Sequence, residues 1–241
     1  MNSTSRSCTL LASLLLLGAC AVLPGPTAVL PGPTAQLDRL KTLQAMGKFD
    51  EIAAEKPNSD CLVRPFGAEA CPQIHAIRGR AHLTLAMREA QPGAHCPMPT
   101  QTARTNMEKA VEAYGLAAGA APAGSEDAAH MMENRALVLA CTAPFRRPDE
   151  ALKMTREAVT DLDSLPPSAA RALTASNAML AIAQRTELPV SDRCAAARDA
   201  ITRARKGLGG PPAATGETAE RLRQTINAAT PGTPGLPTTC S

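Results

Sequence analysis

The stretch Ala103-Arg104-Thr105-Asn106-Met107-Glu108-Lys109-Ala110 carries a small residue first, a larger one four places on, and a small one three places after that. The same spacing returns in Ala151-Leu152-Lys153-Met154-Thr155-Arg156-Glu157-Ala158 and in Ala197-Arg198-Asp199-Ala200-Ile201-Thr202-Arg203-Ala204, at intervals of 48 and 46 residues. The first, fifth and eighth positions of such an octet fall on one side of an α-helix. Each octet also follows another segment of helical period, over His75–Met87, Met131–Cys141 and Ala172–Gln184. Three helix pairs, each built around one small–large–small contact, are what this pattern predicts.

Further along the chain in both directions the same period continues. Leu37, Leu40 and Leu43 form a stripe that Gly47 breaks before Phe49, Ile52 and Ala53 begin another, so a helix is expected from Gln36. A Pro-bearing loop from Pro57 to Pro65 precedes Ile74, Ile77, Ala81 and Leu85, and Gln91-Pro92-Gly93 ends that run. Gly119–Ser125 reads as a linker and Thr142–Arg147 as a loop. Pro148-Asp149-Glu150 suits a helix start, with Pro in the first turn and acids at the positive end of the dipole. Ser168 is a candidate cap for the next helix, and Ser191 and Asp192 for the one carrying Cys194. A last helix holds Ala219, Leu222, Ile226 and Ala229. No useful length alternates with the period of a strand. The chain is 44% apolar but only 2% aromatic, with no Trp, and its apolar residues are chiefly Ala and Leu. Such a composition favours helices over sandwiches and barrels. An all-α fold of antiparallel helix pairs is expected.

In the tetratricopeptide repeat the second helix has small, bulky and small residues at this spacing, where they pack on the first helix. The three octets resemble that helix, and Gly47-Lys48-Phe49-Asp50-Glu51 resembles the family's inter-helix turn. The intervals of 46 and 48 depart from the family's 34, and Gly79 is the nearest candidate for the small residue of the first helix. The resemblance implies a stacked solenoid with a face that holds a peptide or protein, and the chain's cysteines are expected to brace it with disulfides. Whether the helices form a groove or close into a bundle stays open at the level of sequence.

The N-terminus speaks to compartment. Polar Met1–Arg6 with one positive charge precedes an apolar run from Leu10 to Leu17, the length of a signal-peptide core and too short to span a bilayer. It ends in Leu17-Gly18-Ala19-Cys20, which resembles the lipobox of bacterial lipoproteins. That resemblance implies cleavage before Cys20 and acylation, as with palmitate, on its thiol and new amino group. Ala rather than Asp at position 21 points to the outer membrane, periplasmic face, with the inner membrane still open. AVLPGPT then appears twice, at 21–27 and 28–34, and its four prolines suit a semi-extended tether. The expected layout is a signal segment over 1–19, lipidated Cys20 and tether over 20–35, a helical domain over 36–230, and an arm over 231–241.

Cysteine usage agrees with export. Beyond Cys8 and Cys20 six remain, at Cys61, Cys71, Cys96, Cys141, Cys194 and Cys240. Six cysteines in an exported chain imply disulfides and allow fifteen pairings. The segment layout favours Cys61–Cys71 across a short loop, Cys96 with Cys141 at a helix end, and Cys194 with Cys240 in the arm. No C-x₂-C pair suggests a metal site.

Chemistry is sparsely marked. His75 and His82, seven apart on one helix, fall on the same side and read as solvent-facing or half-buried residues. His95 and His130 are isolated, and no hydrolase, zinc or phosphate-loop motif is present. No catalytic residue, metal or cofactor is therefore assigned, and a non-enzyme is expected. With a net charge of +3 the chain is no nucleic-acid wrapper. Candidate partner contacts are Phe145 with Arg146 and Arg147, and Arg198, Arg203 and Arg205 on a helix with a local basic excess. The expected function is a membrane-tethered, periplasmic adaptor or assembly factor that binds a protein or peptide in the envelope. Two alternatives are an inhibitor that neutralises a toxin or hydrolase, and an envelope enzyme with an unrecognised site.

Overall fold

A computed structural model describes residues 32–63, 69–88, 90, 96–98 and 100–240. The signal segment, Cys20 and most of the doubled AVLPGPT lie outside the described residues, as does His95. Within them the chain forms ten α-helices and a short 3₁₀ turn, with adjacent helices packing as hairpins. All belong to one unit, Pro31–Ser241.

The first helix, α1 (Pro33–Ala45), begins inside the expected tether because Pro33 occupies the opening turn, where its missing N–H costs nothing. Gly47 has φ 69° and ends α1, with the Lys48 N–H reaching the Leu43 carbonyl at 2.9 Å. Helix α2 (Phe49–Ala54) follows, and the Pro-bearing loop contains a further short helix, α3 (Ser59–Val63). Buried Gln36 joins them: its amide donates to Glu55 and to the Lys56 carbonyl, and its oxygen accepts from the Asn58 N–H at 2.8 Å.

The first large hairpin is α4 (Ala70–Met87) against α5 (Gln101–Ala120). Thr100 caps α5 through the Ala103 N–H at 3.1 Å. Helix α5 runs through Gly119, which had read as linker, because Ala117 and Ala120 are buried and that burial outweighs glycine's poor helix propensity. Next, α6 (Glu126–Thr142), capped by Ser125, packs on α7 (Pro148–Asp163), with the 3₁₀ turn Ala143–Phe145 between them. The last hairpin pairs α8 (Ala169–Ala183), capped by Ser168, with α9 (Val190–Gly209). Helix α9 starts at Val190 behind Pro189, so Ser191 and Asp192 stand in its first turn and not at the cap. Helix α10 (Gly216–Ala229) covers both α8 and α9, and buried Thr225 on it donates to Asn177 of α8 at 2.7 Å.

The three octets occupy equivalent places. Ala103, Met107 and Ala110 in α5, and Ala151, Thr155 and Ala158 in α7, are all at most 2% exposed. In α9, Ala197 and Ala204 are equally buried and Ile201 packs against the same core. Methyl-sized side chains at the first and eighth positions let the backbones approach, and the middle residue fills the space between. Gly79 performs the small-residue role in α4: the ring of Tyr114 lies 3.1 Å from where a Cβ would stand.

Three disulfides brace this stack: Cys61–Cys71, Cys96–Cys141 and Cys194–Cys240. The first fixes α3 to the start of α4, the second ties the segment before α5 to the end of α6, and the third holds the C-terminal arm on α9. Arg193 adds to that last attachment by donating to the Gly235 carbonyl at 2.6 Å, and Leu236 is buried.

Candidate functional site

Helices α4 and α5 expose a polar pocket of about 230 Å³, walled on its third side by α2 and the turn after it. Arg78 and His82 come from α4, Lys109 and Glu112 from α5, and Leu62 and Leu116 form an apolar rim with Pro57. Residues 78 and 82 are one turn apart, as are 109 and 112, so both pairs project from the same strip of their helices. Arg78 is steadied from behind by its Nε, which donates to the Glu55 carbonyl at 3.0 Å. Burial pulls its pKa below the ordinary arginine value, opposed by Glu112 and Glu55. Glu55 is in turn held by Gln36 and Arg39, so the α1–α2 latch fixes this wall.

The two histidines of α4 are buried, contrary to the sequence expectation of solvent-facing or half-buried rings. His82 is 2% exposed, and its Nδ1 meets Asn106 Oδ1 at 3.0 Å. His75 is fully buried, and neither ring nitrogen has a hydrogen-bond partner among the described residues. Both belong to the same buried stripe as Ile74, Ala81 and Ala86, which is why helical spacing placed them together. Burial is the main cause that lowers both pKa values, and the neighbouring Arg78 lowers His75 further. The rings are thus neutral at pH 7. His130 lies exposed on α6.

The six arginine and aromatic candidates are divided between two places. Phe145 packs into the core beside Met107 and Val138, with the Arg104 guanidinium 5.8 Å from its ring centre. Arg146 pairs with Glu108 of α5, and Arg147 turns back to Asp149 and Glu150 at the start of α7. Arg203 bridges Asp163 at the end of α7 at 2.7 Å and Asp199 on its own helix at 2.9 Å. Arg198 and Arg205 stand exposed on α9. The Phe145 group is tied to α5 and Arg203 to α7, so these residues serve first as links between helices.

A second depression, of about 210 Å³, lies where α7, α8 and α9 meet and is lined by Arg171, Arg203, Lys206 and Asp163. Two of its cations are already occupied, Arg171 by Glu133 at 3.0 Å and Arg203 as above. Among the described residues no cluster of His, Cys, Asp and Glu is suited to hold a metal ion, and no helix is long and apolar enough to cross a membrane.

Sequence reasoning did not single out the α4–α5 pocket. The usable signal was Lys109 and Glu112 on the polar side of the first octet, opposite two histidines on the partner helix; the missing information was the register that brings them together. No protein-family model matches the chain, and no curated protein matches it either.

Proposed function

We propose that this chain is a lipid-anchored adaptor that faces the periplasm from the outer membrane and holds a protein or peptide of the envelope. Leu17-Gly18-Ala19-Cys20 supports the anchor through its likeness to a lipobox, with two or more acyl chains at Cys20 adding about 0.8 kcal/mol per buried CH₂. The observation that carries the adaptor reading is the burial of one small–large–small unit in the second helix of three successive hairpins. Packing of that kind resembles the tetratricopeptide repeat, whose stacked hairpins serve as scaffolds for binding and not for turnover. Disulfides at both ends of the stack suit a scaffold that works outside the reducing cytoplasm.

Crosslinking in native membranes, followed by purification of the full lipidated chain, tests this with a Cys20→Ser version as control. A defined multi-protein complex present with the first and lost with the second is the expected result. Recovery of no protein from either, under conditions that keep weak contacts, removes the adaptor reading. A second reading, an inhibitor, draws on the loop closed by Cys61–Cys71, where Leu62 is 57% exposed. It predicts one tight partner that Leu62→Asp releases and that binds equally well without the lipid.

A further inference from the structure

The hydrogen bonds around His82 determine what its pocket asks of a ligand. Asn106 Nδ2 donates to the Thr102 carbonyl at 3.2 Å, which turns Asn106 Oδ1, an acceptor, toward His82. His82 Nδ1 must therefore carry the proton, and Nε2 is left as a bare lone pair. That nitrogen has no protein partner among the described residues, although the ring is 98% covered and lines the pocket. A ligand N–H or O–H that enters the pocket can donate to it.

Charges around the same space have both signs. Arg78 and Lys109 are cations and Glu112 an anion, and none of the three makes an ion pair within 4.0 Å among the described residues. An anion alone would leave Glu112 and His82 Nε2 unmatched, and a simple amine would leave Arg78 and Lys109 unmatched. A molecule with an ammonium beside a carboxylate answers all four groups. The volume of about 230 Å³ is below the roughly 300–1,000 Å³ of pockets for drug-sized molecules, so the ligand is small. Leu62 and Leu116 on the rim call for an aliphatic side chain.

We infer that the α4–α5 pocket binds a free α-amino acid with an aliphatic side chain, its ammonium on His82 Nε2 and Glu112 and its carboxylate on Arg78 and Lys109. This inference is independent of the adaptor reading and of the lipid anchor.

The probe is L-leucine, titrated into the full, oxidised chain while the ¹⁵N signals of the His82 ring are followed. Leucinamide, which lacks the carboxylate, and 4-methylpentanoate, which lacks the ammonium, are the comparison ligands. Before addition the ring should show the Nδ1–H form. L-leucine should then shift Nε2 saturably with a Kd of about 1 mM or tighter, and each truncated analogue should bind at least about tenfold more weakly. Lys109→Glu and Glu112→Lys change exposed residues and preserve the fold, which circular dichroism checks; each should weaken leucine by about tenfold or more. The inference is overturned by a Nε2–H ring, by no saturable change up to about 10 mM leucine, or by equal responses to the three compounds.

Discussion

Around Leu40, Ile52 and Ile74 the core is filled by long aliphatic side chains, whereas around Ala158, Ala183 and Ala200 it is filled by methyl groups. Among the described residues only three of the ten buried members of the N-terminal cluster are Ala, against ten of the seventeen in the C-terminal cluster. The first region gains its stability from apolar area, at about 25 cal/mol per Å², and encloses two neutral imidazoles. The second gains it from close helix contact, with little area per side chain and correspondingly little tolerance for added volume. Ion pairs line the outside of that second region: Arg135 with Glu157 and Asp161 joins α6 to α7, Arg171 with Glu133 joins α8 to α6, and Arg203 with Asp163 joins α9 to α7. These pairs are partly buried, so desolvation offsets much of their attraction and they set register more than stability. At Asp161 burial even outweighs Arg135 and raises the carboxyl pKa. One chain of hairpins thus uses two kinds of core, and they should fail in different ways.

Leu40→Ala should expose that difference most sharply. It empties a fully buried site and should cost about 2–5 kcal/mol in urea unfolding, with α1, α2 and α4 losing hydrogen-exchange protection first. Removing the disulfides comes next. Cys194→Ser with Cys240→Ser opens a loop of 46 residues and should cost about 4 kcal/mol, while Cys61→Ser with Cys71→Ser opens one of 10 and should cost about 3. An equal or reversed order would show that native contacts, and not chain entropy, set the effect.

Glycine substitutions probe the opposite sensitivity. A Cβ at Gly207 would stand 2.7 Å from Ala172 Cβ and 3.1 Å from Leu222, so Gly207→Ala should destabilise the α8–α9–α10 contact by about 1–3 kcal/mol. Gly119 in α5 has open space around it, and Gly119→Ala should stabilise by about 0.5–1 kcal/mol. Thermal unfolding of the two variants should move in opposite directions.

Acid should separate the regions as well. Because the folded pKa values of His75 and His82 lie below the unfolded 6.5, folding excludes protons that the unfolded chain takes up. The stability these rings permit is complete above about pH 6.5 and falls as pH drops toward their folded values. His75→Leu removes an unpartnered buried ring and should flatten the acid dependence of the N-terminal region while leaving that of the C-terminal region unchanged. Arg78 reinforces the effect at both rings and Lys109 at His82, while Glu112 opposes it at both.

Much of this was legible in the sequence because helical period and caps are local. Gly47, Ser168, Pro148 and the three octets announced their roles through spacing alone, and the places of the cysteines in loops and at helix ends favoured the bridges that form. What was not legible depends on the partner helix. The burial of His75 follows from α4 being covered by α1, α2 and α5 at once, which the polar character of histidine conceals. Arg203 read as part of a basic face because Asp163, its partner, lies 40 residues away. The α4–α5 pocket needed the register of two helices separated by a Pro-rich loop.

Native-state hydrogen exchange of the full, oxidised chain at pH 7.5 and pH 5.0, resolved by helix, tests the two-core account most directly. The account predicts that acid strips protection from α1, α2 and α4 while α7, α8 and α9 keep theirs. Uniform loss along all the helices, or loss that begins in α8 and α9, would contradict it.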